Sequence, residues 1–106
     1  MSGFSVSLSG QGFAESFPFG LILDREHRIL VAGLVLGRRP SVKAGALADE
    51  VFEVLRPREA QTLAEAMLAQ SATLVLRHRA TMLEIKGSMV SLETPGCFAF
   101  VGSPVV

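Results

Sequence analysis

The chain has 106 residues, which allows one compact domain and excludes a second core. Ten basic and ten acidic side chains give a formal net charge of zero, so charge indicates neither a nucleic acid nor an acidic membrane as partner. Hydrophobic residues make up 49% of the chain, yet no apolar run is long enough to span a membrane and no secretory signal is recognisable. We therefore expect a cytoplasmic domain with apolar surface left over for a partner.

The first 16 residues are predicted to form an amino-terminal arm or dimerisation segment, with residues 17–106 as the folded domain. In the arm, Phe4, Val6 and Leu8 alternate with serines at the period of a half-buried strand, which would allow pairing with a sheet edge. The glycine and serine content leaves open whether the arm is ordered.

Two apolar runs, 19–23 and 29–36, flank the charged segment 24–28 and predict a hairpin with a polar tip. Gly33 lies inside the second run. A glycine at such a position indicates a bulge, or a bend where another part of the backbone passes close by.

The middle of the chain is predicted to be helical. Residues 46–55 are interpreted as a short helix or loose coil, and residues 58–70 as the main helix, because a proline is tolerated in the first helical turn. Apolar residues then recur at three- and four-residue spacing: Ala60, Leu63, Ala64, Met67 and Leu68. Arg56 directly precedes Pro57 at this junction, where hydrogen bonding to carbonyl groups is favoured over anion binding.

Three strands are predicted in the remaining part of the chain, at 72–79, 82–92 and 98–101, with a turn at 93–96. The second of these strands is predicted to face the core with Leu83, Ile85, Gly87 and Met89. Val90 and Leu92 break its alternation. Either the opposite face is also covered near the end of the strand, or a bulge at 87–88 shifts the phase.

Two strands, a helical middle and three further strands predict an α+β fold. The expected architecture is one five-stranded antiparallel sheet with helices on one face. A small open barrel is the alternative.

No set of residues converges on a catalytic or metal-binding pattern. His27 is expected at the solvated hairpin tip. His78 is expected to face solvent beside two arginines, with haem ligation or pH sensing as the less favoured alternatives. Cys97 is expected to be a small buried thiol rather than a redox group. We therefore expect no enzymatic activity, no metal and no cofactor.

Several segments, in order along the chain, resemble one family. They are Phe17-Pro18-Phe19, Asp24-Arg25 followed by Ile29 and Gly33, FEVLRP at 52–57, LVLR at 74–77, LEIKGSM at 83–89 and FVGSPV at 100–105. Together they are similar to the H-NOX-associated domain, the PAS-like module that follows the haem nitric oxide binding domain in soluble guanylate cyclases and occurs in bacterial signalling proteins. Gly20 and Ser88 depart from the histidine and glutamine frequent in the family, which favours a bacterial histidine kinase or nucleotide cyclase as the parent protein.

The resemblance implies a non-enzymatic domain that forms a homodimer and passes a conformational signal from an H-NOX sensor to a kinase or cyclase output domain. It also implies that the domain holds no haem itself. In this hypothesis the apolar residues packed across the two-fold axis are Val6, Leu8, Phe13 and Phe17. The alternative hypothesis is a small-molecule sensor, whose apolar cavity between sheet and helices is lined by Leu63, Met67, Ile85 and Phe98.

Overall fold

The six strands of the described residues lie in one antiparallel sheet. The computed structural model describes residues 9–69 and 73–105. The elements are α1 (Gly10–Ser16), β1 (Leu21–Leu23), β2 (Ile29–Ala32), a 3-10 turn (Leu36–Arg38), α2 (Ala48–Val51), β3 (Phe52–Arg56), α3 (Leu63–Leu68), β4 (Leu74–His78), β5 (Glu84–Ser91) and β6 (Phe98–Pro104). The strand order is β2-β1-β6-β5-β4-β3, so β2 and β3 are the two edges of an open sheet and the barrel alternative is not formed.

The predicted α+β class is confirmed, but the sheet has six strands where five were predicted. The additional strand is β3, in the segment 46–55 that was interpreted as a short helix or loose coil. Helix α2 takes up only four residues of that segment, after which the chain becomes extended and pairs with β4. Phe52 and Val54 are buried while Glu53 is partly exposed, which is the alternation of an edge strand with one face on the core.

The first hairpin forms as predicted, with a tip organised by one carboxylate. Asp24 Oδ1 accepts hydrogen bonds from the backbone N–H groups of Glu26 and Arg28, each at 2.9 Å. Strand β2 ends at Ala32 and is shorter than its apolar run, which continues through a turn at residues 34–35 into a 3-10 turn at residues 36–38. The close approach expected at Gly33 is confirmed, since a Cβ atom there would lie 2.2 Å from the Phe17 carbonyl oxygen.

The carboxyl-terminal hairpin is the longest strand pair of the sheet. Strands β5 and β6 pair without a register shift from Ile85 opposite Pro104 to Ser91 opposite Phe98. A bulge at 87–88 is therefore absent, and the break in alternation at Val90 has the other predicted cause, an opposite face that is apolar near its end. Gly96 closes the turn between the strands with a φ of 81°.

The core lies on one face of the sheet, which we call the inner face. Its buried side chains come from the strands and from α2 and α3, among them Leu21, Leu23, Phe52, Leu63, Leu76, Ile85 and Phe100. Ile85 and Phe100 are completely buried, and Met89 packs against this cluster, as the alternation of the strand predicts. Helix α1 differs from the prediction of helices on one face, because its Phe13 packs on the opposite, outer face.

Helix α3 begins at Leu63, five residues later than predicted. The reason is a capping box at its amino terminus: the Thr62 hydroxyl accepts from the Glu65 N–H at 3.2 Å, and the Glu65 carboxylate accepts from the Thr62 N–H at 3.3 Å. Asp49 Oδ1 also accepts from the Leu63 N–H at 2.9 Å, which joins α2 to α3. In the part of the chain that the structure describes, no helix has the length and apolar character needed to cross a membrane.

His78 is buried, and the prediction that it faces solvent is wrong. It is 1% exposed at the end of β4. The strand alternation places its ring on the inner face, where it meets the Phe52 ring edge-on at 5.6 Å. Both ring nitrogens are paired, with Pro40 and with Thr81, which satisfies the polar atoms that burial removes from water.

Candidate functional site

The outer face of the sheet carries an apolar groove of about 300 Å³, which we call the outer groove. Ile22, Ala99 and Val90 form a lateral row across β1, β6 and β5, because Ala99 pairs with Ile22 on one side and with Val90 on the other. Val101 and Leu92 extend this floor. Val90 is 45% exposed, so the groove opens to solvent.

Helix α1 supplies one wall of the outer groove. Its first turn is capped by Ser9 Oγ, which accepts from the Gly12 N–H at 3.0 Å. The Leu34 N–H donates to the Ala14 carbonyl at 3.0 Å and ties the helix to the chain beyond β2. These contacts place Phe13 and Phe17 over the sheet, with ring centroids 5.1 Å apart.

Two of the four residues predicted for a dimer interface therefore meet at this groove. Phe13 is 5% exposed and contributes mainly to packing within its own chain, whereas Phe17 is half-buried. Val6 and Leu8 lie outside the described residues. The sheet residues of the groove were not predicted as a site, although two sequence signals pointed to them: the broken alternation at Val90 and Leu92, and a last strand that is apolar on both faces.

A second groove, of about 450 Å³, lies between α3 and the turns at one end of the sheet. We call it the helix groove, and it is lined by Arg25, His27, Ala64, Met67, Leu68, Gly96 and Phe98. It unites Met67 and Phe98, two of the four residues predicted to line a cavity. Leu63 and Ile85, the other two, are fully packed in the core beside it.

The ionisable side chains of the described residues do not form a metal site. In residues 9–69 and 73–105, no three of histidine, cysteine, aspartate and glutamate are grouped as ligands. Asp49 caps α3, and Glu53 is paired with Arg77 at 2.9 Å on the outer face. Because both partners of that ion pair are partly exposed, it contributes little to stability.

The protein is thus an open antiparallel sheet with a packed inner face and an apolar groove on its outer face. Residues 6–82 match the model of the family described as "Heme NO binding associated". The match covers more than half of the chain, so the protein belongs to that family and the resemblance of its sequence is confirmed.

Curated relatives from mammals align with almost the whole chain. Guanylate cyclase soluble subunit alpha-1 of Bos taurus is 30% identical over 114 residues, covering 96% of this chain and 16% of that protein. The Mus musculus subunit is 28% identical with the same coverage, and the Rattus norvegicus subunit is 28% identical over 106 residues, covering 89% of this chain and 15% of that protein. The chain thus spans about 16% of the length of these relatives.

Proposed function

We propose that the chain is a PAS-like, non-catalytic module that forms a homodimer through its outer sheet face and relays a conformational signal. The observation that carries this proposal is the outer groove. Apolar side chains of β1, β5 and β6 are left partly uncovered there, although α1 lies beside them. A two-fold symmetric contact would bring the same apolar patch of two copies together and bury it.

The fold supports the PAS-like assignment. When the edge strand β3 is set aside, the remaining five strands are those predicted from the residue pattern of this chain. Val6 and Leu8 directly precede α1 in the sequence, and we include them in the proposed interface together with Phe13 and Phe17. A shift of α1 against the sheet would alter the outer groove, which offers a physical route for relay.

The proposed parent is a cytoplasmic signalling protein of bacterial type, in which an H-NOX sensor acts on a kinase or cyclase output domain through this module. The alignment supports a modular context, since nearly the whole chain corresponds to one segment of much longer cyclase subunits. Sequencing the gene beyond both ends of this coding segment tests the proposal. Flanking sensor and output domains are the expected result, and a flanking sequence of unrelated function would contradict it.

The dimer interface is tested by placing a carboxylate in the outer groove. We expect Val90→Glu to raise the dimer dissociation constant by about tenfold or more, because an unpaired charge in an apolar contact costs several kcal/mol. Size-exclusion chromatography with light scattering measures the mass of each variant. Leu30→Glu is the matched control, since Leu30 lies on strand β2, is 46% exposed and does not line the groove.

Two results would contradict this interface. One is an equal loss of dimer in both variants. The other is a Val90→Glu protein that remains as dimeric as the unmodified chain, with both variants folded by circular dichroism.

The helix groove supports a second candidate function, a small-molecule sensor. Its walls include Met67, Phe98 and Leu68, and Leu68 is 82% exposed. Such a volume with apolar walls is within the range of small-ligand sites. Native mass spectrometry of the purified chain would show the added mass of a bound apolar molecule, and Met67→Glu should remove it. A spectrum with the mass of the polypeptide alone would count against this candidate.

A further inference from the structure

A third concavity, of about 630 Å³, lies on the outer face beyond the apolar rows. We call it the basic pocket, and it is lined by Arg56, Pro57, Arg58, Glu59, Thr73, Val75 and Lys86. Strand register brings these distant parts of the chain together. Arg56 pairs with Val75, and Val75 pairs with Lys86, so the three residues form one row across β3, β4 and β5.

The lining of the basic pocket carries three cations and one carboxylate, Glu59, in a chain whose formal net charge is zero. Within residues 9–69 and 73–105, no side-chain hydrogen bond or ion pair is made by Arg56, Arg58 or Lys86. The positive charge of the pocket is therefore a local excess that no carboxylate of the described chain pairs with.

The predicted hydrogen bonding of Arg56 to carbonyl groups is not seen among the described residues. Other arginines take that role. Arg28 donates to the Gly45 carbonyl at 2.9 Å, and Arg79 donates to the Asp49 carbonyl at 3.0 Å. The Arg56 side chain instead lines the pocket with Arg58, which leaves two guanidinium groups available to a ligand.

The chemistry of the pocket selects a class of ligand. Guanidinium groups present planar, forked donors that match phosphate oxygens in pairs, and a lysine adds a third point charge. Val75, which is 9% exposed, and Pro57 give the pocket an apolar part. The volume lies in the range of small-molecule sites.

The residues that surround the basic pocket disfavour an extended acidic polypeptide as its ligand. The next row of the sheet contains Glu53, Arg77 and Glu84, and Glu53 already neutralises Arg77. Carboxylates therefore border the cations on that side, as Glu59 does in the lining, and they would repel a long acidic chain. A compact anion can contact the cations without crossing this border.

We propose that the basic pocket binds a small phosphate-bearing molecule with at least two negative charges, held by Arg56, Arg58 and Lys86. The site is separate from both apolar grooves and does not depend on the proposed dimer. It gives the module a ligand-binding surface in addition to its contact surface.

The test is a titration of the isotopically labelled 106-residue chain with pyrophosphate, in which NMR spectra record the amide resonances at each step. The salt concentration is about 0.15 M, where distant charges are screened. Saturable shifts are expected at residues 56, 58, 59, 73–75 and 86. Arg56→Gln combined with Arg58→Gln should weaken binding by about tenfold or more, since each removes a charged hydrogen-bond donor.

The control is Arg38→Gln combined with Lys43→Gln. It removes the same total charge from exposed positions outside the pocket and should change the affinity by less than about twofold. Equal weakening in both double variants, or shifts that do not saturate, would overturn the proposal. Binding of a polyglutamate peptide at these amides without any binding of pyrophosphate would overturn it as well.

A second arm distinguishes the source of the phosphate. Co-sedimentation of the chain is measured with vesicles that contain phosphatidylglycerol. If the unmodified chain co-sediments and the double variant Arg56→Gln with Arg58→Gln does not, the phosphate group belongs to a lipid headgroup. If only pyrophosphate binds, the ligand is a soluble phosphate compound.

Discussion

His78 is a buried link between three parts of the fold. The Pro40 carbonyl, 2.7 Å from Nε2, can only accept a hydrogen bond, so Nε2 carries the proton. Nδ1 then accepts from the Thr81 N–H at 3.2 Å and lies 2.7 Å from the Thr81 hydroxyl. The neutral ring thereby joins the end of β4 to the loop before α2 and to the turn before β5.

Replacement of His78 by phenylalanine should keep the ring volume but remove both hydrogen bonds. We expect the free energy of unfolding to fall by about 1–2 kcal/mol, because the buried ring would lose its hydrogen bonds to Pro40 and Thr81. Urea denaturation measures this change. His27→Asn is the control, since the His27 side chain makes no hydrogen bond within the described residues; a loss of equal size in both variants would contradict the role of the buried link.

Gly33 is required by a close approach of two backbone segments. A Cβ atom there would lie 2.2 Å from the Phe17 carbonyl oxygen and 2.3 Å from the Pro18 carbonyl carbon. We expect Gly33→Ala to lower the free energy of unfolding by about 2–3 kcal/mol, because backbone atoms would have to move apart.

Thermal unfolding of Gly33→Ala beside Gly37→Ala gives a matched comparison. A Cβ atom at Gly37 would lie 3.5 Å from the Ala32 Cβ, which is an ordinary contact, so that variant should change stability by less than about 0.5 kcal/mol. Two variants of equal stability would show that the β2 end tolerates a side chain at Gly33.

At the scale of elements, helix α3 depends on its cap more than on its length. It has six residues, too few to be stable alone, so packing of Leu63 and Ala66 and the capping box must hold it. Thr62→Ala should cost about 1 kcal/mol of stability. Thr62→Ser retains the hydroxyl acceptor and should be nearly neutral in the same denaturation experiment; a neutral alanine variant would contradict the role of the cap.

The elements that the sequence predicts well are those with a long run of alternating apolar and polar residues or with clear turn residues. The hairpin of β5 and β6 has both, and its core face was predicted correctly at Ile85 and Met89. Strand β3 was missed because its five residues directly follow a helical turn and are surrounded by helix-forming residues. The start of α3 was misplaced because Pro57 outweighed the capping signal of Thr62 and Glu65, which the sequence contains.

For the molecule as a whole, the two faces of the sheet differ in how far they are covered. The inner face holds the core, and the outer face carries the outer groove and the basic pocket. Composition predicted spare apolar surface, but its position depended on α1 and on the pairing of β1, β6 and β5. The grouping of Arg56 with Lys86 follows from strand register across thirty positions of sequence, which residue patterns alone do not contain.

Sedimentation equilibrium of the unmodified chain measures whether two copies associate through the outer groove. We expect a mass that rises with concentration toward twice the 11.3 kDa of one chain, and a weaker rise for Val90→Glu. A single-chain mass at every concentration up to several hundred micromolar would contradict it.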